Sequence, residues 1–299
     1  MRLLLAVDGS VSSDRATALV AGLPLPADSL VRIVAVQQPY ADALALSWAS
    51  IGDAAAPSVE EDAEARHLRE AIERAETSLR PVKVEGFLLH GRPASAIVDE
   101  AVSMAADLVV IGSRGHGTIA TMLLGSTAAE VVDHAPCPVL VARTPQMGKL
   151  VFADDGSNSA SEAEAVFTKW PVFAGHDVEV VTVAETAVPV AAGFTPGLYD
   201  QVLESYTEAV EEARRQVVEE SQTAAHRLAA AGFRTTAVAL EGDAASELVH
   251  YAGEHETGTI VMGTRGHTGL ARLVLGSVAR NVLMHAPCSV LIVREHKRK

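Results

Sequence analysis

Short apolar blocks alternate along the chain with longer segments in which apolar residues recur at helical spacing. Residues 3–7 form a continuous apolar run of strand length, whereas residues 59–79 place apolar side chains three and four positions apart. This alternation predicts parallel strands connected by helices. The predicted strands are 3–7, 31–36, 82–89, 108–111 and 139–142 in the first half, and 150–153, 178–183, 235–240, 259–262 and 290–293 in the second.

The second half of the chain repeats the first. A constant shift superimposes the blocks Gly-Ser-Arg-Gly-His and Gly-Thr-Arg-Gly-His, and it also superimposes two copies of His-Ala-Pro-Cys. The repeat predicts an α/β protein of two tandem, doubly wound, Rossmann-like domains, each with a five-stranded parallel sheet flanked by helices. The expected domains are 1–144 and 149–295. Sheets of this class bind ligands beyond the carboxyl ends of the strands, so each half is expected to have one binding crevice.

Composition narrows the function. The formal net charge of -14 disfavours a nucleic-acid partner, because such binding depends on clustered Lys and Arg. No apolar stretch has the length of a membrane span or of a signal peptide, so no membrane partner and a cytoplasmic location are expected. Cys137 and Cys288 occupy the same place in each repeat and are predicted to be small buried hydrophobic residues.

A glycine motif with fixed spacing occurs once in each half. In the first half it is Gly112-x2-Gly115-x9-Gly125-Ser126. Its first glycine follows a predicted strand, where the lack of a Cβ lets a phosphate approach the backbone, and its last glycine opens a predicted helix. Unpaired N–H groups and the positive end of the helix dipole form an anion site there. The spacing therefore predicts a phosphate-binding loop, repeated as Gly263, Gly266, Gly276 and Ser277.

Charged residues accompany each loop. The side chains of Arg114, His116, Arg265 and His267 either add positive charge around a bound anion or face water. Asp8 and Asp155 end the first strand of each half, where a carboxylate could accept hydrogen bonds from a ribose hydroxyl or an adenine amino group. The alternative role of these aspartates is to cap the following helix, a role that nearby serines could also take.

Together these motifs resemble the ATP-binding branch of the universal stress protein family, over almost the whole chain and in two copies. The resemblance implies ATP as the ligand, with Mg²⁺ or Mn²⁺ at the phosphates and no assignable protein ligand for the metal. It places adenine and ribose near the first-strand aspartate and a valine that ends the second strand. The implied site residues are Asp8, Val36, Gly112, Arg114, Gly115, His116, Gly125, Ser126 and Thr127, and in the second half Asp155, Val183, Gly263, Arg265, Gly266, His267, Gly276, Ser277 and Val278.

The second half departs from the family pattern at two places. The turn Gly-Arg-Pro that ends at Pro93 becomes Gly-Asp-Ala, which ends at Ala244. Asp154 replaces the apolar Val7 next to the first-strand aspartate. An additional carboxylate near the second crevice is expected to weaken anion binding there.

The apolar terminal strands, 139–142 and 290–293, are expected to lie at sheet edges, and an uncovered apolar edge favours pairing. The family resemblance also suggests assembly through this strand. We therefore expect the two halves to form an intramolecular pseudo-dimer, and further homodimerisation stays open. The long connections 37–57 and 185–197 are either covers over the crevices or surface insertions.

Three functions fit a phosphate-binding α/β protein. The resemblance favours a nucleotide-binding regulatory module of the stress response with little or no catalysis. A slow ATP-hydrolysing or nucleotidyl-transferring enzyme is the alternative, although the Walker lysine typical of many such enzymes does not occur in the motif. A dinucleotide-dependent oxidoreductase is disfavoured, because the glycine loops follow the fourth strand of each half rather than the first.

Overall fold

The computed structural model of this protein describes residues 1–38, 63–115, 124–185, 196–266 and 275–294, with the backbone alone for 196–206. The strands are β1 (Arg2–Ala6), β2 (Leu30–Gln37), β3 (Lys83–His90), β4 (Leu108–Gly112), β5 (Val139–Ala142), β6 (Lys149–Ala153), β7 (Asp177–Ala184), β8 (Arg234–Glu241), β9 (Thr257–Gly263) and β10 (Ser289–Val293). The helices are α1 (Val11–Ala21), α2 (Ala63–Ser78), α3 (Pro93–Ser103), α4 (Ser126–His134), α5 (Asn158–Lys169), α6 (Pro196–Ala230), α7 (Ala244–Glu254) and α8 (Ser277–His285).

The strands form one continuous ten-stranded sheet with the order β3-β2-β1-β4-β5-β10-β9-β6-β7-β8. The five strands of each half are parallel, and the halves meet where β5 pairs with β10 in antiparallel orientation, with Leu140 opposite Leu291. The predicted fold class is confirmed, and the terminal strands pair as expected. The two predicted sheets are not separate, because β5 and β10 satisfy each other's edge hydrogen bonds.

Helices cover both faces of the sheet, and each face has one hydrophobic core. Helices α1, α2, α5 and α6 pack on one face, and α3, α4, α7 and α8 pack on the other. Along β5, Val139 and Val141 point into the core beneath α4 and α8, whereas Leu140 and Ala142 point into the core beneath α1 and α5. Both cores contain residues of both halves, so the halves are joined by buried side chains as well as by backbone hydrogen bonds.

The two halves begin corresponding helices by different local means. Helix α3 has Pro93 in its first turn, where proline lacks only an N–H group that would be unpaired in any case. Helix α7 has Asp243 as its N-cap, and the Ser246 N–H donates to this side chain at 2.9 Å. The sequence difference between the two turns therefore preserves the helix start in both halves.

Each cysteine is buried and free. Burial raises the pKa of Cys137 to about 12 and that of Cys288 to about 11, so both thiols are protonated at neutral pH. The predicted role as small buried hydrophobic residues is confirmed.

The two long connections expected to be crevice covers or surface insertions lie mostly outside the residues that the structure describes. Most of both predicted crevice covers falls in 39–62 and 186–195, outside the described residues. Among the helices of the described ranges, none is long and apolar enough to cross a membrane.

Candidate functional site

Each half has a crevice at the point where its strand order reverses. β1 pairs with β2 on one side and with β4 on the other, so the helices that follow β1 and β4 leave toward opposite faces of the sheet. β6 has the same position between β7 and β9. The carboxyl ends at these switch points are the usual ligand sites of doubly wound sheets. Because the strands of the two halves run in opposite directions, their carboxyl ends, and with them the two crevices, lie on opposite sides of the sheet along the strand direction.

In the first crevice, Asp8 lies directly against the glycine loop. The Ser10 N–H donates to Asp8 Oδ1 at 3.0 Å, and the Asp8 N–H donates to Ser13 Oγ at 3.2 Å. A Cβ built on Gly115 would lie 2.6 Å from Asp8 Oδ2. The structure thus brings together the first-strand aspartate and the middle loop glycine, and a side chain at position 115 would displace the carboxylate.

The second crevice has the same arrangement. The Ser157 N–H donates to Asp155 Oδ1 at 3.1 Å, and a Cβ on Gly266 would lie 2.6 Å from Asp155 Oδ2. The N-caps of α1 and α5 are Ser10 and Ser157, so the helix-capping alternative for the two aspartates is wrong. Both carboxylates are held by a local turn, and each keeps its second oxygen at the loop.

The first glycine of each loop packs against a helix. A Cβ on Gly112 would lie 2.7 Å from the carbonyl carbon of Ser12 and 2.8 Å from the backbone nitrogen of Ser13. A Cβ on Gly263 would lie 2.6 Å from Ser159 Oγ. Sequence reasoning assigned this glycine to phosphate approach, but the space that a Cβ would need is filled by the first turn of α1 or α5. Helix packing is therefore a sufficient reason for glycine at this position.

The last glycine of each loop is different. Gly125 and Gly276 are the N-caps of α4 and α8, and neither helix start has a side-chain cap. A Cβ on Gly125 would meet no atom closer than 3.5 Å, which is ordinary contact distance. Ser126 and Ser277 in the first turns are exposed. Among the described residues, neither N-cap glycine supplies a side-chain acceptor to the first N–H groups of its helix.

The remaining predicted residues follow the same geometry. Strand register places Ala6 opposite Val34 and Ala153 opposite Val181, so Val36 and Val183 end their strands at the level of the two aspartates. The valines are half-buried against the core that contains α4 and α8.

Both loop arginines lie at the start of their loops, and their carbonyls accept hydrogen bonds. The Ser10 hydroxyl donates to Arg114 O at 3.0 Å, and the Ser157 hydroxyl donates to Arg265 O at 3.2 Å. The side chain of Arg114 is exposed and that of Arg265 is half-buried, while Thr127 and Val278 are half-buried in the helix starts. His116 and His267 lie outside the described residues.

Asp154 does not face the anion site. Its side chain is only 6% exposed and points to the face of the sheet that carries α5 and α6, opposite α8. The Gly156 N–H donates to Asp154 Oδ1 at 3.0 Å, and Arg227 Nη2 lies 3.7 Å from Oδ2. The expectation that this carboxylate weakens anion binding rested on proximity in sequence. The alternation of side chains along a strand places it on the other face.

Burial raises the pKa of Asp154, an effect opposed by the Gly156 hydrogen bond and by Arg227. A carboxyl whose pKa is higher in the folded state than in the unfolded state favours folding when protonated, so its contribution falls as pH rises above the ordinary aspartate pKa of 3.8. We expect the stability of the unmodified protein, relative to Asp154→Asn, to decrease from about pH 4 to about pH 7 in urea titrations. Glu164 pairs with Arg227 at 2.7 Å, and this pair is expected to persist in the variant.

Asp243→Asn is the matched control for this titration. Hydrogen bonds from the Ser246 hydroxyl and N–H lower the pKa of the exposed Asp243. A lowered carboxyl pKa gives a contribution that is present above the unfolded pKa and lost as pH falls, so the relative stability of the unmodified protein should change in the opposite direction. Parallel slopes for the two variants would contradict the assignment of Asp154.

Arg143 and Arg294 occupy equivalent positions in the repeat, and neither was among the predicted site residues. The structure places each arginine just beyond the terminal strand of its half, with its guanidinium on carbonyls of the other half. The signal was their identical position after β5 and β10. In the described residues, no group of three or more His, Cys, Asp or Glu is arranged to hold a metal ion.

The fold defines a tandem, doubly wound α/β protein with one strand-end crevice in each half. A sequence profile of the Universal stress protein family matches residues 1–143 and 147–294. The chain belongs to this family, in a tandem form.

Relatives and solved structures are consistent with this assignment. The "Universal stress protein in QAH/OAS sulfhydrylase 3'region" of Thermus aquaticus is 37% identical over 143 residues, which cover 47% of this chain and 97% of that protein. Universal stress protein Rv2005c of Mycobacterium tuberculosis is 28% identical over 232 residues, covering 72% and 70%. The crystal structure of a universal stress protein from Archaeoglobus fulgidus has the same fold, with a TM-score of 0.63, 17% identity and 98% coverage of both chains.

Proposed function

We propose that each half of this protein binds an adenine nucleotide, with ATP as the main ligand, and that the chain acts as a regulatory module of the stress response rather than as a catalyst. The observation that carries the proposal is that α4 and α8 begin without a side-chain cap. Each of these helix starts follows a glycine loop that lies against the first-strand aspartate of its half, Asp8 or Asp155. The first-half helix α1 and the second-half helices α5 and α7, in contrast, begin with a side-chain cap.

The helix starts supply the phosphate end of the proposed site. Backbone N–H groups in the first turn and the positive end of the helix dipole favour an anion. The hydroxyls of Ser126 and Ser277 add a further donor in each half, and the loop arginines provide positive charge at the start of each loop. Among the described residues, the atoms nearest to the Cβ position of Gly125 are at ordinary contact distance, 3.5 Å, and we propose that a phosphate oxygen approaches the helix start here.

The aspartates supply the nucleoside end. Asp8 and Asp155 are oriented by backbone N–H donors on Oδ1, and their carboxylates lie at the loop, where we propose that they accept hydrogen bonds from a ribose hydroxyl or an amino group. Val36 and Val183 end the neighbouring strands at the same level, and they offer an apolar surface and a backbone edge for a base. A divalent cation bound with ATP would be held by the phosphates.

Calorimetric titration with Mg²⁺ and ATP, after removal of any copurified nucleotide, tests this proposal. We expect two equivalents of ATP for the unmodified chain, and one each for Gly125→Val and Gly276→Val, because the valine side chain fills the space beside the helix start. Gly22→Val is the control, since Gly22 caps α1 away from the crevices and a Cβ there meets no atom within 3.5 Å.

The absence of ATP binding by nucleotide-free protein would overturn the proposal. Release of phosphate or pyrophosphate at a rate that is lost in both valine variants would instead support the enzymatic alternative. Retention of two equivalents by Gly125→Val would show that the site does not lie at the start of α4.

A further inference from the structure

Two arginines, Arg143 buried and Arg294 half-buried, cross the junction between the halves in a symmetric way. Arg143 follows β5 and is 9% exposed, and its guanidinium donates to the carbonyls of Leu283 and Cys288. Arg294 follows β10 and donates to Asp133 O at 2.7 Å and to Val132 O at 2.9 Å. Each arginine therefore binds the backbone of the opposite half.

At one end, each arginine is attached to the glycine loop of its own half. The Ser113 N–H, at the start of the first loop, donates to Ala142 O at 3.1 Å, immediately before Arg143. In the second half, Val293 pairs with Gly263, immediately before Arg294. The start of each loop is therefore hydrogen-bonded to the strand that leads directly into the arginine.

At the other end, each arginine binds the last turn of the helix that begins at the opposite crevice. Leu283 belongs to α8, and Val132 and Asp133 belong to α4. A cation at a helix C-terminus and an anion at its N-terminus both interact favourably with the helix dipole. Each of these helices has nine residues and is about 13 Å long, so it is a short rigid connection between a crevice and the opposite arginine.

We propose that Arg143 and Arg294 couple the two nucleotide sites, so that a nucleotide in one half increases the affinity of the other half. This inference rests on the proposed function. A phosphate at the start of α4 orders that helix and its last carbonyls, which hold Arg294 and thereby the loop of the second crevice. Ordering done by the first ligand lowers the entropic cost for the second. Linkage requires the effect to be reciprocal, and Arg143 with α8 provides the return path.

The coupling factor can be measured by calorimetry with ATP and Mg²⁺. It is the product of the two association constants of the unmodified chain divided by the product of the single-site constants of Gly276→Val and Gly125→Val. We expect a factor of about five or more, the lower range of known couplings. The same three proteins, with intact loops, with Gly276→Val and with Gly125→Val, are then measured with the added substitutions Arg143→Met and Arg294→Met. We expect a coupling factor close to one in this background, with ATP still bound at both sites when the loops are intact.

Two further variants keep the test interpretable. The double variant Arg143→Lys, Arg294→Lys retains both charges but offers one ammonium group for two carbonyls, so its coupling factor should also fall. This variant serves as the test if the methionine variant does not fold. Arg234→Gln is the control, because Arg234 pairs with Asp177 between the strands β8 and β7, outside the helices α4 and α8. The control should keep the coupling factor of the unmodified chain.

The possible failures are distinguishable. A factor close to one in the unmodified chain, with two equivalents bound, would overturn the coupling and leave nucleotide binding intact. An unchanged factor in the lysine variants would overturn the role of the arginines. If the nucleotide-free chain binds no ATP, the proposed function itself fails and the coupling fails with it.

Discussion

Phe167→Ala is expected to lower the free energy of unfolding by about 4 kcal/mol, through lost burial and the cavity that remains. Phe167 is 0% exposed in α5. Its ring stacks on Phe173 with centroids 4.5 Å apart, and it contacts the rings of Phe233 and Phe152 at 5.3 and 5.9 Å. Three neighbouring aromatic rings cannot all move inward to fill the space, so the surrounding structure should relax only in part.

Urea denaturation followed by circular dichroism measures this loss. Phe87→Ala is the matched control, since Phe87 lies on the edge strand β3 with 43% of its surface exposed and contacts Arg32 through its ring face. We expect a loss of about 1 kcal/mol for the control, the size of one exposed cation–π contact with modest burial. Equal losses for the two variants would contradict the assignment of Phe167 to the centre of the core.

Gly112→Ala is expected to lower the free energy of unfolding by about 3 kcal/mol, the upper part of the usual range for overpacking a core. The added methyl would lie within 2.8 Å of two backbone atoms of α1. That turn is held by Ser10 as N-cap and by the contact of the Ser12 hydroxyl with Ser113 Oγ at 3.2 Å. The strand or the helix must therefore shift.

Gly125→Ala in the same loop is the comparison. The nearest atoms to its Cβ are at 3.5 Å, and its φ of -75° suits alanine, so the free energy of unfolding should change by less than about 1 kcal/mol. A smaller contrast is expected between Gly263→Ala and Gly276→Ala, because a Cβ on Gly276 would lie 3.2 Å from the Thr264 carbonyl oxygen. If Gly112→Ala were as stable as the unmodified protein, the packing explanation for this glycine would be wrong.

These two substitutions separate the glycines of a single motif by their physical roles. Gly112 is required by the helix that packs against it, and Gly115 by the Asp8 carboxylate beside it. Among the described neighbours of Gly125, none is close enough to explain the absence of a side chain, which is why the proposed function rests most heavily on its position. The glycine-rich loop of this chain is thus partly a packing device, and its spacing alone does not say which glycine meets the ligand.

The sequence by itself determined the local elements and their repetition. Every predicted strand is present within a few residues, because short apolar runs bounded by polar turns can be buried only as strands of a covered sheet. The glycine motifs were correctly placed between a strand and a helix for the same reason. The repeat indicated two equivalent halves, since equal local patterns produce equal local folds.

Only the tertiary structure decided how distant segments meet. It merged the halves into one sheet through β5 and β10, turned Asp154 away from the second crevice, and placed Arg143 and Arg294 on carbonyls of the opposite half. Sequence periodicity reports which side of a strand or helix is buried, but not which remote atoms cover it. Contacts between residues more than a hundred positions apart depend on packing and on hydrogen-bond satisfaction across the whole molecule.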